Sequence, residues 1–152
     1  MNVKVTPYKI ENDSGYCTVV ALTNVTGWDF KKCWYVANNA GRKRHNGFMP
    51  HVLLEYASKH HGLEFELVKL KYNPTEHLRR RRRCGYDELT PVYKSNSPTL
   101  AQFVKQHPTG RFYISTIGPS LAVVNGVVMD AWKIGPRRRV KRAWRIHERS
   151  IY

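Results

Sequence analysis

The sequence predicts an α+β domain in which three or four helices precede an antiparallel sheet. Residues 1–62 carry apolar side chains at helical spacing between glycines, whereas residues 111–146 form short, alternating apolar segments. Asn125-Gly126 is the strongest hairpin signal in the chain. A length of 152 residues, with no repeat and no linker, predicts a single domain over residues 1–152.

Three helices are predicted in the N-terminal half, after a short strand that contains Val3 and Val5. Apolar residues spaced three and four apart give each helix a buried face, and a glycine ends each of them. Asp13 and Ser14 are the candidate N-cap residues of the first helix. The predicted helices cover residues 17–25, 29–40 and 50–62, and a fourth begins at residues 97–100 and ends before Pro108.

The C-terminal half is predicted to be mainly strands. Leu63–Val68 alternates between apolar and polar residues, as a half-buried strand does. Residues 72–97 are polar and contain Pro74, Pro91 and five consecutive arginines, so they are predicted to form mostly a loop, a basic insertion in the domain. The remaining strands are predicted at residues 111–116, 121–124, 127–132 and 142–146.

The charge of the chain is strongly unbalanced, with 26 lysines and arginines against 11 aspartates and glutamates and a net charge of +15. Such a field favours polyanionic partners: DNA, RNA or an acidic protein surface. No helix-turn-helix, zinc-finger or RRM signature indicates sequence-specific binding. The predicted polyanion-binding residues form three clusters: Arg42, Lys43 and Arg44; Arg79, Arg80, Arg81, Arg82 and Arg83; and Arg137, Arg138, Arg139, Lys141 and Arg142.

No stretch of 18 apolar residues predicts a membrane span, and the first residues lack the apolar run of a signal peptide. The three cysteines, Cys17, Cys33 and Cys84, have no CxxC spacing, which argues against a disulfide framework or a zinc site. The sequence therefore predicts a protein of the cytoplasm with no metal, no cofactor and no membrane partner.

Cys17 follows a Gly-Tyr turn and opens the first predicted helix, the position of a nucleophile in cysteine peptidases. The chain resembles the C39-like peptidase-type proteins of bacteriophages and related mobile elements, which have a papain-like fold. The resemblance implies that Cys17 is the nucleophile, that Asp130 orients a histidine, and that Asn12 or Asp13 contributes to the oxyanion hole. It is carried by residues 17–27, 40–43, 99–104, 107–112, 122–126, 130–132 and 137–144.

Pro119 departs from this family, which usually has a Gly-His pair where this chain has Gly118-Pro119. Proline has no titratable group and no backbone N–H. General acid–base catalysis contributes roughly 10²–10⁴-fold to such reactions, so its loss impairs them severely. None of the seven histidines is marked by spacing as a replacement.

These residues predict a phage-encoded, catalytically impaired peptidase-like protein that binds a polyanion, in the cytoplasm of an infected bacterium or in the virion. One alternative is an active cysteine peptidase or amidase that uses Cys17, Asp130 and a histidine from elsewhere. Another is a structural component of the virion, whose arginines lie against packaged DNA or a neighbouring subunit.

Overall fold

The computed structural model describes residues 1–6, 8–70, 76–83, 86–93, 97–116, 118–130 and 134–151, with the backbone alone for 76–83 and 86–93. These residues form four helices and eight strands. The helices are α1 (Cys17–Thr26), α2 (Phe30–Ala40), α3 (Pro50–His61) and α4 (Leu100–Gln106). The strands are β1 (Asn2–Val5), β2 (Phe65–Leu67), β3 (Glu76–Arg83), β4 (Tyr86–Tyr93), β5 (Arg111–Thr116), β6 (Ser120–Val124), β7 (Val127–Asp130) and β8 (Val140–Ile146).

Six strands form one mixed sheet in the order β1-β7-β6-β5-β8-β2. The α+β class is therefore confirmed. The expectation of a purely antiparallel sheet is wrong at one edge, because β1 pairs with β7 in parallel, with Asn2 opposite Val127. The Asn125-Gly126 turn joins β6 and β7 as an antiparallel hairpin, as the sequence predicts.

The two faces of the sheet bury different helices. Helices α1, α2 and α3 pack on one face, where Leu22, Leu54 and Tyr113 are fully buried in one cluster. Helix α4 packs on the other face, where Phe103 and Ile114 belong to a second cluster. Because side chains alternate along each strand, neighbouring residues of β5 and β6 serve opposite clusters. Tyr8, Ile10 and Tyr16 pack against the first cluster, so the segment that precedes α1 lies on the three-helix side of the sheet.

Residues 72–97, predicted to be mostly loop, contain the strands β3 and β4, and that prediction is wrong over 76–83 and 86–93. The two strands pair antiparallel as a separate two-stranded sheet. Their register places Arg81 opposite Glu88 and Arg82 opposite Asp87. Opposite charges at paired positions favour a hairpin. The prediction of a loop took the five arginines as part of that loop and did not consider this pairing.

The N-cap prediction for α1 is also wrong. Tyr16 occupies the N-cap position and no side chain caps the helix. Asp13 and Ser14 lie farther upstream, and the Asp13 carboxylate is engaged by a residue from another part of the chain. The sequence pattern predicted that Asp13 caps α1, but its side chain forms an ion pair with a residue distant in sequence instead.

Candidate functional site

Cys17 is the first residue of α1 and has a half-buried, free thiol. Within the part of the chain that the structure describes, no hydrogen bond or ion pair joins its sulfur to an imidazole. Tyr113 on β5 lies close enough for its phenol to interact electrostatically with Cys17. The thiol therefore sits at a helix start without a hydrogen-bonded base.

Tyr113 connects the Cys17 segment to the Pro119 segment. Its hydroxyl donates a 3.1 Å hydrogen bond to the carbonyl oxygen of Thr18, and the Ser120 hydroxyl hydrogen bonds to the same phenol. Burial raises the pKa of Tyr113 well above its usual range, so the phenol stays neutral at physiological pH. It fixes the two segments side by side and is not available as a base.

Pro119 lies directly before β6, next to the serine that contacts Tyr113. Its carbonyl oxygen accepts a 2.7 Å hydrogen bond from the Thr116 hydroxyl, which closes the turn between β5 and β6. The side chain at this position contributes neither a donor nor a titratable group.

Asp130 ends β7 and is buried, with 1% of its surface exposed. Its backbone carbonyl oxygen accepts hydrogen bonds from the Thr6 amide at 2.8 Å and the Thr6 hydroxyl at 3.2 Å. The same hydroxyl accepts a 2.9 Å bond from the Asn24 amide of α1. The end of β7 is thereby tied to β1 and α1, while the orienting role of the Asp130 carboxylate stays a prediction.

Asp13 is the centre of a hydrogen-bonded cluster that the sequence did not predict. Its Oδ2 atom accepts from Trp34 Nε1 at 2.7 Å and from Arg42 Nη1 at 2.8 Å. Its Oδ1 atom accepts from the backbone amides of Ser14 and His45 at 2.8 and 2.9 Å, and from Arg42 Nη2 at 3.0 Å. Five donors thus hold one carboxylate, and the Arg42 fork is bidentate.

The Arg42 hydrogen bonds and the other donors hold the pKa of Asp13 well below its usual range, despite the opposing effect of burial. The ionised carboxylate has no hydrogen to donate to an oxyanion. In this structure Asp13 therefore anchors the segment before Cys17. Asn12, the other oxyanion candidate, is exposed with φ of 58°.

The prediction that Arg42 binds a polyanion is wrong. The residue is 4% exposed, and neither its side chain nor that of Asp13 is accessible to solvent. Arg42 Nη2 also donates to the Ser14 carbonyl oxygen at 2.9 Å. Its neighbours Lys43 and Arg44 are exposed and make no ion pair in the described part of the chain.

Ser14 and His45 form a hydrogen-bonded pair that the sequence did not predict, because the two residues lie 31 positions apart. Ser14 Oγ lies 2.8 Å from His45 Nδ1, and both residues are exposed. Gly15 has φ of 65°, and a Cβ atom there would lie 3.2 Å from the His45 carbonyl oxygen. A side chain at position 15 would be strained and would push the two loops apart, so glycine suits this close approach.

Four of the other described histidines contact side chains other than Cys17. His147 lies 3.9 Å from a Glu66 oxygen, and His107 packs between Phe103 and Phe112. His60 and His61 contact Tyr56, and burial lowers the pKa of His61. His51 lines a cleft beside β8, and the side chain of His77 lies outside the described residues.

The C-terminal cluster of cations is on the surface. Arg137, Arg138, Arg139, Lys141 and Arg142 are all exposed. Arg139 Nη1 donates to the Ser97 carbonyl oxygen at 2.6 Å. Arg137, Lys141 and Arg142 make no hydrogen bond or ion pair through their side chains within the described residues. Arg79, Arg80, Arg81, Arg82 and Arg83 lie on β3, where the backbone alone is described.

Comparison with protein-family models, with curated proteins and with solved structures finds no match to this chain. The class that the described residues establish is an α+β fold with four helices and a six-stranded mixed sheet. Among those residues, no helix is long and apolar enough to cross a membrane, and no three His, Cys, Asp or Glu side chains are grouped as a metal ion would need.

Proposed function

We propose that this chain is a papain-like, C39-type peptidase homologue of a bacteriophage, catalytically impaired at Pro119, that works by binding a polyanion. The partner is a nucleic acid or an acidic protein surface, met in the infected cell or in the virion. The exposed arginines and lysines provide the binding surface.

The observation that carries the binding proposal is the state of Arg137, Lys141 and Arg142. All three side chains are exposed, and none has a carboxylate partner in the described part of the chain. Surface cations in folded proteins are often paired, as Arg149 is with Glu64 at 2.6 Å. Unpaired cations grouped on one segment lose few existing contacts when they meet phosphates, and each phosphate contact releases condensed counterions.

The impairment proposal is supported by what surrounds Cys17. Its segment is adjacent to the Pro119 segment through Tyr113, as the family arrangement requires. A proline stands at the histidine position, and Tyr113 cannot replace an imidazole as a base because burial raises its pKa and keeps the phenol protonated. Acyl transfer to the thiol would therefore lack a proton carrier for the leaving group.

A test compares the binding of a fluorescein-labelled 20-nucleotide DNA, followed by fluorescence anisotropy. The triple variant R137A/K141A/R142A is expected to bind at least about 30-fold more weakly than the unmodified protein. The matched control K31A/K59A/K105A removes the same charge from three exposed helix positions. Equal losses of affinity in both variants would show that binding depends only on the net charge of the protein. That result would contradict a defined binding surface.

Arg79–Arg83 are tested separately, in a variant with glutamine at all five positions. If β3 contributes to the same surface, this variant also weakens DNA binding. Binding that is unchanged would restrict the proposed surface to the C-terminal cluster.

A second candidate function is an active thiol hydrolase that uses Cys17. One observation favours it: the Ser14–His45 contact brings an imidazole onto the loop three residues before the thiol. Under this alternative, the unmodified protein hydrolyses a fluorogenic peptide or amide, and both C17A and H45A abolish the activity. A wild-type protein with no Cys17-dependent hydrolysis removes this alternative.

A further inference from the structure

Strand β8 contains an irregularity at Lys141. In its pairing with β5, Ser115 lies opposite Arg142, whereas the next residue, Thr116, lies opposite Val140. Lys141 therefore has no partner on β5 and occupies the extra position of a β-bulge. A bulge re-aims the side chains beside it, so Lys141 and Arg142 need not alternate between faces as consecutive strand residues do.

Both residues line the same cleft, a cavity of about 340 Å³ between β8, the end of β5 and the start of α3. Its walls also include Ser115, Phe48, His51 and Trp144. None of its lining residues is acidic. Lys141 and Arg142 are exposed here without any hydrogen-bond or ion-pair partner among the described residues.

We infer that this cleft binds a phosphate group, with Lys141 and Arg142 as the charged ligands and the Ser115 hydroxyl as a neutral donor. The inference rests on the proposed polyanion function and assigns it a particular subsite. An arginine fork matches phosphate oxygens, a lysine adds a point charge, and a hydroxyl hydrogen bonds to a third oxygen. No side chain caps the first turn of α3, so the amides of His51 and Val52 face no competing carboxylate or hydroxyl cap.

The surroundings favour a phosphate over a carboxylate-bearing protein surface. The cleft is a partly open recess, with Phe48 and the mostly buried Trp144 among its lining residues. A recess of about 340 Å³ admits a phosphate group, whereas a carboxylate of a folded partner reaches its lining only where that side chain protrudes. The phosphate of a nucleic-acid backbone and a free phosphate share this chemistry, and the experiment separates them.

The first arm of the test follows backbone amides by ¹H–¹⁵N NMR during titration with inorganic phosphate. The amides of His51, Val52, Ser115 and Arg142 are expected to shift together along one saturating curve. In K141A/R142A the apparent affinity falls about 100-fold, since two charge-assisted hydrogen bonds are lost. In K59A/K105A, which removes the same charge at two exposed helix positions, the affinity stays within about twofold of the unmodified protein.

The second arm repeats the titration with a 20-nucleotide oligothymidylate. Shifts at the same amides with both probes mean that the cleft takes a backbone phosphate. Shifts with inorganic phosphate alone mean that the cleft binds a free phosphate. In that case the inference about the cleft holds, and the proposal of nucleic-acid binding fails. Binding of the oligonucleotide with no shift at the cleft amides overturns the cleft, and the proposed function then stands only if R137A/K141A/R142A still weakens that binding.

A third variant, S115D, places a carboxylate in the cleft while keeping both cations. It is expected to abolish the phosphate-induced shifts at His51 and Val52. Retained phosphate binding by a folded S115D protein would overturn the inference.

Discussion

Arg42 donates to both carboxylate oxygens of Asp13, at 2.8 and 3.0 Å, with neither side chain accessible to solvent. This pair joins the loop after α2 to the segment that ends at Cys17. The same carboxylate also holds Trp34 and the backbone of His45. The position of the thiol thus depends on a buried ion pair whose two members lie 29 residues apart in sequence. Lys43 and Arg44, the next two residues after Arg42, are exposed.

Replacement of Arg42 with alanine is expected to lower the free energy of unfolding by about 3–5 kcal/mol, because it leaves a buried carboxylate without its counter-charge. Urea denaturation followed by circular dichroism measures the change. Arg44→Ala is the control, because Arg44 is exposed and unpaired in the described structure, and it should change stability by less than about 0.5 kcal/mol. A loss below about 1 kcal/mol for Arg42→Ala would contradict a structural role for the pair.

Asp13 predicts a component of acid sensitivity. Its folded-state pKa is depressed, mainly by Arg42, whereas in the unfolded chain the pKa is near the ordinary value of about 3.9. The ionised carboxylate therefore stabilises the fold above about pH 4, and this contribution is lost as the pH falls through the folded-state pKa. Unfolding free energies measured from pH 7 to pH 2 should show a shallower acid loss in Asp13→Asn. Parallel curves for the two proteins would contradict the assignment.

Cys17 and Cys33 should differ in reactivity toward iodoacetamide. Cys33 is fully buried in α2, and desolvation raises the pKa of its thiol to about 11. Cys17 is half-buried at the start of α1. At pH 8, peptide mass spectrometry should find Cys17 alkylated in the folded protein and Cys33 alkylated only after denaturation. Similar rates for the two thiols in the folded state would show that α2 opens more readily than its packing indicates.

Pro119→His tests the relation between the two segments that Tyr113 links. If position 119 faces Cys17 as the resemblance implies, the variant should gain measurable hydrolysis of a fluorogenic thiol-peptidase substrate. The double variant P119H/C17A is the control and should have none. A folded Pro119→His protein with no activity would weaken the account of an impaired peptidase.

Local patterns predicted most of the fold. Helix α3 ends within one residue of its predicted end because Gly62 takes the left-handed conformation that stops a helix. Strand β5 matches its predicted bounds because its apolar residues alternate between two buried clusters. Both features are encoded within a few consecutive residues.

Long-range contacts account for the errors. Arg42 belongs to a run of basic residues, and nothing nearby in sequence indicates that Asp13 buries it. The hairpin of β3 and β4 is a local exception, because it pairs two neighbouring polar segments, neither of which has an apolar period. The parallel position of β1 depends on β7, more than 120 residues away, where the Thr6 hydroxyl donates to the Asp130 carbonyl oxygen. The Ser14–His45 contact and the bulge at Lys141 likewise exist only once distant segments have met.

The most direct test of the central claim measures the dissociation constant of the unmodified protein for a 20-nucleotide single-stranded DNA between 50 and 300 mM KCl. If the unpaired cations hold at least three phosphates, the logarithm of the association constant falls linearly with the logarithm of salt concentration, with a slope of about −2 or steeper. An association constant independent of salt, or no binding at 50 mM KCl, would contradict the claim that this protein acts by binding a polyanion.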